Sequence, residues 1–112
     1  MGKREGKIEK ALVARIEAIG GQIRKAQWAG RRGCPDRFVM LPSRHREYLS
    51  VRAGSVLHAH LRRNPWVECK AAGEVLDGHQ EREIQRMRAL GELVLVIDSL
   101  EQIDRYFPLE LT

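Results

Sequence analysis

Three observations predict an α/β fold in which helices cover a mixed β-sheet. Apolar residues recur at helical spacing near the start of the chain and again after Asp77. The run Leu93-Val94-Leu95-Val96-Ile97 is unbroken and apolar, as suits a strand buried on both faces. Glycine, proline and capping signals divide the remainder into short pieces. The resulting order is helix, strands, helix, strand, helix, which is that of an α/β sandwich. A chain of 112 residues is long enough for one compact domain and too short for two independent cores, so residues 1–112 are expected to form a single unit.

Taken in order, the first helix is expected from about Gly6 to Ile19. Ile8, Ala11, Leu12, Ile16 and Ile19 share one face, and Gly20-Gly21 stops the run. Residues 22–28 read as a short strand with poor alternation. Ala29 to Pro35 is a loop, marked by two glycines and a proline. Phe38 to Leu41 is a buried strand ended by Pro42. Residues 43–64 hold no sustained period and are rich in Arg and His, which leaves an inserted hairpin, a short helix or a loop open there. Trp66 to Ala71 is the next strand and residues 73–78 a turn. Asp77 is a natural N-cap for a helix through Leu90, with Ile84, Met87 and Leu90 facing inward and Gly91 ending it. Residues 93–97 should form a central strand. Ser99 with Gln102 forms a capping box for a last helix that ends before Pro108.

Composition narrows the function classes. No apolar run approaches the roughly 20 residues needed to span a bilayer, which excludes a membrane helix. The charged N-terminus leads into an amphipathic pattern, unlike a secretory signal, so an intracellular protein is expected. Two cysteines, Cys34 and Cys69, do not make a disulfide framework and are read as reduced thiols. A net charge of +5 and a pI near 9.7 favour a polyanionic partner, because basic surfaces gain affinity by releasing counterions from nucleic acid.

In Trp66-Val67-Glu68-Cys69-Lys70-Ala71 the side chains alternate, so Glu68 and Lys70 project from one face and Cys69 from the other. Alone, such a pair reads as a surface ion pair of little energetic consequence. Asp36 changes that reading. It follows a Gly-Cys-Pro turn at the mouth of another strand, where Pro35 fixes the local backbone and presents the carboxylate at a defined point. If the two strands are neighbours, Asp36 and Glu68 converge and can hold Mg²⁺, a hard cation that takes oxygen ligands, with the backbone carbonyl of Cys69 as a third donor. Such an ion polarises a phosphodiester and acidifies water, while Lys70 would orient the water or offset charge developing on the phosphorane.

Gly33-Cys34-Pro35-Asp36, then Glu68-Cys69-Lys70, then Gln80 on the following helix resemble the VRR-NUC domain, the virus-type replication and repair nuclease branch of the PD-(D/E)XK superfamily. The resemblance runs from the Ile8-Glu9 helix to Val96-Ile97-Asp98-Ser99. It implies a restriction-endonuclease-like core, dependence on Mg²⁺ or Mn²⁺, and a bacterial or phage endonuclease acting in DNA repair. Compact members imply a homodimer that cuts branched DNA such as Holliday junctions. It also implies an acidic residue from the first helix, here Glu9, with Glu5 one turn earlier as an alternative. The family passes from the Asp strand to the Glu-x-Lys strand by a short turn, which makes residues 43–64 an insertion.

Each assignment has a plainer counterpart. Glu9 could be a solvated helix residue paired with a nearby base. Gln80 could close a capping box with Asp77, or position water or phosphate beside the metal. Arg31 and Arg32 could hold a DNA phosphate by bidentate contacts, or belong to an exposed basic loop. Arg44, Arg46, Arg52, Arg62 and Arg63 could embrace DNA or only keep their segment soluble. Cys34, Cys69, His45, His58, His60 and His79 match no zinc-ligand spacing. Cys34 lies near two arginines that could lower its pKa, yet no base for it is identifiable. The serious rival to a nuclease is a non-enzymatic DNA-binding module, and a structural subunit or adaptor is a third possibility.

Overall fold

The computed structural model describes residues 6–53 and 62–111. Their elements run α1 (Lys7–Ala18), β1 (Gln22–Lys25), β2 (Arg37–Met40), α2 (Ser43–Arg52), β3 (Trp66–Cys69), α3 (Gly78–Ala89), β4 (Val94–Ile97) and α4 (Leu100–Tyr106). The four strands form one sheet in the order β1-β2-β3-β4. β1 with β2 and β2 with β3 are antiparallel, whereas β3 and β4 are parallel and joined through α3. This is the expected α/β sandwich around a mixed sheet.

Alternation along the strands sends side chains into two cores. On one face Val39, Val67, Leu95 and Ile97 pack against Leu12 and Ile16 of α1, Leu49 of α2, and Ile103 and Phe107 at the end of the chain. On the other, Val94 packs with Ile84 and Met87 of α3, bordered by Trp28, Trp66 and Val96. Trp66 stacks obliquely on both Trp28 and Phe38, with ring centroids 5.3 and 4.6 Å away.

The apolar stripe of α1 and its glycine stop behave as expected. Gly20 adopts a φ of +90°, and Gly21 lies so close to the Met40 carbonyl that a Cβ there would sit 2.6 Å from it. Asp77 caps α3 as part of a full capping box with Gln80, and Ser99 caps α4 with Gln102.

Two expectations are corrected. Leu90 is the C-cap of α3, which ends at Ala89, and its side chain is 80% exposed instead of facing inward. β4 lies at the edge of the sheet, not its centre. Its unbroken apolar character comes from helices on both faces: Val94 meets α3, while Leu95 and Ile97 meet the opposite core.

In the poorly legible region, residues 43–52 form α2, and its Leu49 is fully buried. Gly54, Ser55, His58 and His60 lie outside the described residues, as does Glu5. Four of the described arginines here have local partners. Arg46 donates to the Leu41 carbonyl at 2.6 Å, Arg52 lies 4.5 Å over the Tyr48 ring, and Arg62 and Arg63 pair with Glu47 and Glu92. No helix among the described residues is long and apolar enough to cross a membrane.

Candidate active site

The start of β2 lies beside the end of β3 because the two strands are antiparallel, with Arg37 opposite Val67 and Phe38 opposite Trp66. One step further along the ladder Asp36 comes up against Glu68 and Cys69, and the Cys69 backbone N–H donates to Asp36 Oδ2 at 3.0 Å. Pro35, which leads into Asp36, is fully buried. Asp36 and Glu68 are therefore brought together.

Glu68 is 2% exposed, an unusual place for a carboxylate. Its Oε2 accepts from Gln80 Nε2 at 2.8 Å and lies 3.7 Å from Lys70 Nζ. Its Oε1 is buried with no hydrogen-bond partner among the described residues. Burial first, and the neighbouring Asp36 second, push its pKa up to about 7, with Lys70 pulling the other way. Lys70 continues the ladder past β3 through its N–H to the Ile97 carbonyl at 2.9 Å. The alternation predicted for this strand thus puts acid and base on one side.

Gln80 closes the capping box and also reaches the Asp36–Glu68 pair. Its Oε1 accepts from the Asp77 N–H at 3.0 Å, closing the capping box, while its Nε2 reaches Glu68. Glu9, in the first turn of α1, accepts from Arg37 Nε at 2.6 Å. It also borders three clefts, among them one of about 420 Å³ shared with Cys69, Lys70 and Glu74 and one of about 330 Å³ shared with Lys25 and Asp36. The helix acid therefore flanks the Asp36–Glu68 pair.

The donor set suits a hard divalent cation. Two adjacent carboxylates, one with an unsatisfied buried oxygen, form a site short of positive charge, and Mg²⁺ is held by one or two carboxylates plus water. No three His, Cys, Asp or Glu side chains among the described residues converge tightly enough to cage an ion on their own.

Cys34 is corrected. Its thiol is pushed up to about 11, by burial first and then by Asp36, Glu68 and Glu83, so the arginines in its loop do not make it a thiolate. Burial, with Glu9, Asp36 and Glu68, likewise lifts Cys69 to about 12.

Arg31 and Arg32 are both exposed, but Arg31 is not loose: its Nη2 lies 2.7 Å from Glu83 Oε1. Glu83 was missed by sequence reasoning, as were Arg86, which binds the same carboxylate oxygen, and Arg37, which holds Glu9. A signal for Glu83 existed, since it stands three residues after Gln80 and four before Met87 and so shares the buried side of α3. Nothing in the local pattern distinguishes Arg37 or Arg86 from other surface bases.

No protein-family model matches the chain. The chain is 42% identical over 96 residues to "Putative nuclease p44" of Acyrthosiphon pisum secondary endosymbiont phage 1, an alignment that spans 86% of the chain and 84% of that protein. A solved structure described as "VRR_NUC domain" is 33% identical, with a TM-score of 0.65, over 86% of the chain and 85% of its own length.

Proposed function

The chain belongs to the VRR-NUC family, and from that premise we propose that it is a Mg²⁺- or Mn²⁺-dependent endonuclease that hydrolyses DNA phosphodiesters. The observation that carries this reading is the convergence of Asp36 and Glu68 across two strands, with Glu68 Oε1 left buried and unbonded.

Asp36, Glu68 and the Cys69 carbonyl would hold the cation, with Glu9 at the margin of the set. When bound, the cation supplies positive charge that polarises the scissile phosphate and makes adjacent water more acidic. Lys70 directs an ammonium beside Glu68, where it orients the attacking water and offsets charge on the phosphorane. Gln80 fixes the orientation of Glu68 through Oε2, leaving Oε1 for the ion. Arg31 and Arg32, on the loop that leads to Asp36, contact the DNA backbone.

Residues 1–112 form one nuclease domain with an insertion at 43–64. Branched DNA such as Holliday junctions is the preferred substrate, cut inside the cell by a homodimer, because symmetric cutting of a four-way junction requires two active sites.

The test is cleavage of labelled linear duplex, single-stranded, flap and four-way-junction DNA in Mg²⁺ and in Mn²⁺. Asp36→Asn and Lys70→Ala should each lose at least about a hundredfold in rate, the scale of removing one group that stabilises a transition state. DNA binding without cutting under every condition would overturn the nuclease in favour of a non-enzymatic DNA-binding module.

A further inference from the structure

Glu83 is a buried glutamate that the proposed chemistry does not use. It is 6% exposed, yet its Oε1 receives two guanidinium groups: Arg31 from the β1–β2 loop at 2.7 Å, and Arg86 from the next turn of α3 at 3.0 and 3.2 Å. The arginine side chains remain 54% and 56% exposed. Both arginines being bonded to one oxygen, the guanidinium groups are held side by side despite like charge, and each has more N–H donors than its bonds to Glu83 use. Arg31 and Arg86 together outweigh the single carboxylate between them, so the cluster carries net positive charge.

Burial would raise the Glu83 pKa, but its hydrogen bonds to Arg86 and Arg31 outweigh burial and hold it below the usual carboxylate range. Glu83 is thus a carboxylate at neutral pH. Its loop side is fixed as well. Gly33 has a φ of +93° and lies against α3 so closely that a Cβ there would sit 2.4 Å from the His79 carbonyl oxygen and 2.9 Å from Glu83 Cβ.

The cluster is continuous with the proposed active site. Cys34 feels the charges of Asp36, Glu68 and Glu83 together, so its thiol lies near both groups of carboxylates. Along α3, Gln80 at Glu68 and Arg86 at Glu83 are separated by six residues, about 9 Å of helix rise.

We propose that Arg31 and Arg86, aligned by the buried Glu83, form a phosphate-binding subsite for the DNA strand beside the cut. Arg31 and Arg86 make the contacts, and Glu83 is the positioning residue. The proposal rests on the nuclease reading for the identity of the polyanion. An ordinary surface ion pair would need neither a buried acceptor nor two exposed donors converging on one of its oxygens.

The test is binding of a fluorescein-labelled DNA duplex to the full chain, in Ca²⁺, across a salt series, with cleavage kinetics in Mg²⁺ alongside. Arg86→Ala should weaken binding about three- to tenfold and lower the slope of log K against log salt by about 0.9, the value for one lost phosphate contact. It should also raise KM more than it lowers kcat. Glu83→Gln provides the sharper arm, because the variant is one unit more positive. A diffuse basic surface predicts tighter binding by Glu83→Gln, whereas loss of alignment predicts weaker binding and a higher KM.

Tighter or equal binding by Glu83→Gln at native thermal stability overturns the alignment role. If that variant is unstable, Arg86→Ala decides, and an unchanged salt slope overturns the subsite. A native chain that binds but never cuts refutes the nuclease reading without touching the slope test. A native chain with no affinity for the duplex at low salt overturns both.

Discussion

At the scale of single residues, the proposed centre is governed by how few partners a buried carboxylate has. Glu68 has one oxygen bonded and one bare, so the group that orients it, Gln80, should matter beyond its single hydrogen bond. Gln80→Ala should lower cleavage about 10- to 100-fold, the usual effect of losing an outer partner of a metal-binding carboxylate. Its cost in stability should be about 1 kcal/mol, that of one hydrogen bond. Rates of cleavage set against melting curves separate the two effects, and a loss of activity proportional to the fraction unfolded would contradict the orienting role. Gly33 is the other decisive residue. An alanine there would be strained at a φ of +93° and would strike the His79 carbonyl, so Gly33→Ala should destabilise by about 1–3 kcal/mol and displace the loop that carries Asp36. Cleavage should fall further than stability; equal melting of variant and native chain would show that the loop can move off α3.

At the scale of elements, α3 links the fold to the site. Its inward side chain Ile84 is 2% exposed, whereas Leu90 is 80% exposed. Ile84→Ala should therefore cost about 2–5 kcal/mol, and Leu90→Ala should stay within about 0.5 kcal/mol, both read from denaturant unfolding. The helix also has a pH-dependent cap. The Asp77 carboxylate accepts from the Gln80 N–H, which lowers its pKa in the folded chain below the unfolded value. Its contribution is present above the unfolded pKa and disappears as pH falls through the folded one. Asp77→Ala should melt below the native chain at neutral pH, and the gap should close in acid. A gap that widens in acid would mean that the cap is not the source of the difference.

At the scale of the whole molecule, charge and symmetry set the expectations. The net charge of +5 predicts DNA binding that weakens steeply with salt. Ca²⁺ should support that binding with little cleavage, because its larger and looser coordination activates water poorly; robust cutting in Ca²⁺ or in chelator would contradict the proposed mechanism. For the proposed homodimer, sheet extension across β4 is a poor route. The outward carbonyl of Val94 already accepts from Arg88 at 2.6 Å, and Gln102 bonds the Val96 carbonyl at 3.5 Å and the Asp98 N–H at 2.6 Å. Side chains thus occupy positions that a second copy's strand would need. A solution mass of one chain that persists with junction DNA would remove the support for junction cutting and leave simple nuclease activity standing.

The sequence by itself determined what local chemistry dictates. Apolar spacing sets α1 and α3, capping boxes set the starts of α3 and α4, and strand alternation puts Glu68 and Lys70 on one side of β3 with Cys69 on the other. The motif order Asp36, Glu68-Cys69-Lys70 and Gln80 was legible because each depends on neighbours close in the chain. Only the tertiary structure decided which strands pair, and so whether Asp36 meets Glu68 at all. It also made β4 an edge, since helices can bury both faces of a strand that has only one neighbour. Residues 43–52 became a helix with Leu49 in the core despite a weak apolar period, because one well-placed side chain suffices when the sheet is already there to receive it. Glu83 carried a local sign of burial in its spacing from Gln80 and Met87, but its role stayed hidden because its partner Arg31 lies 52 residues away in the chain.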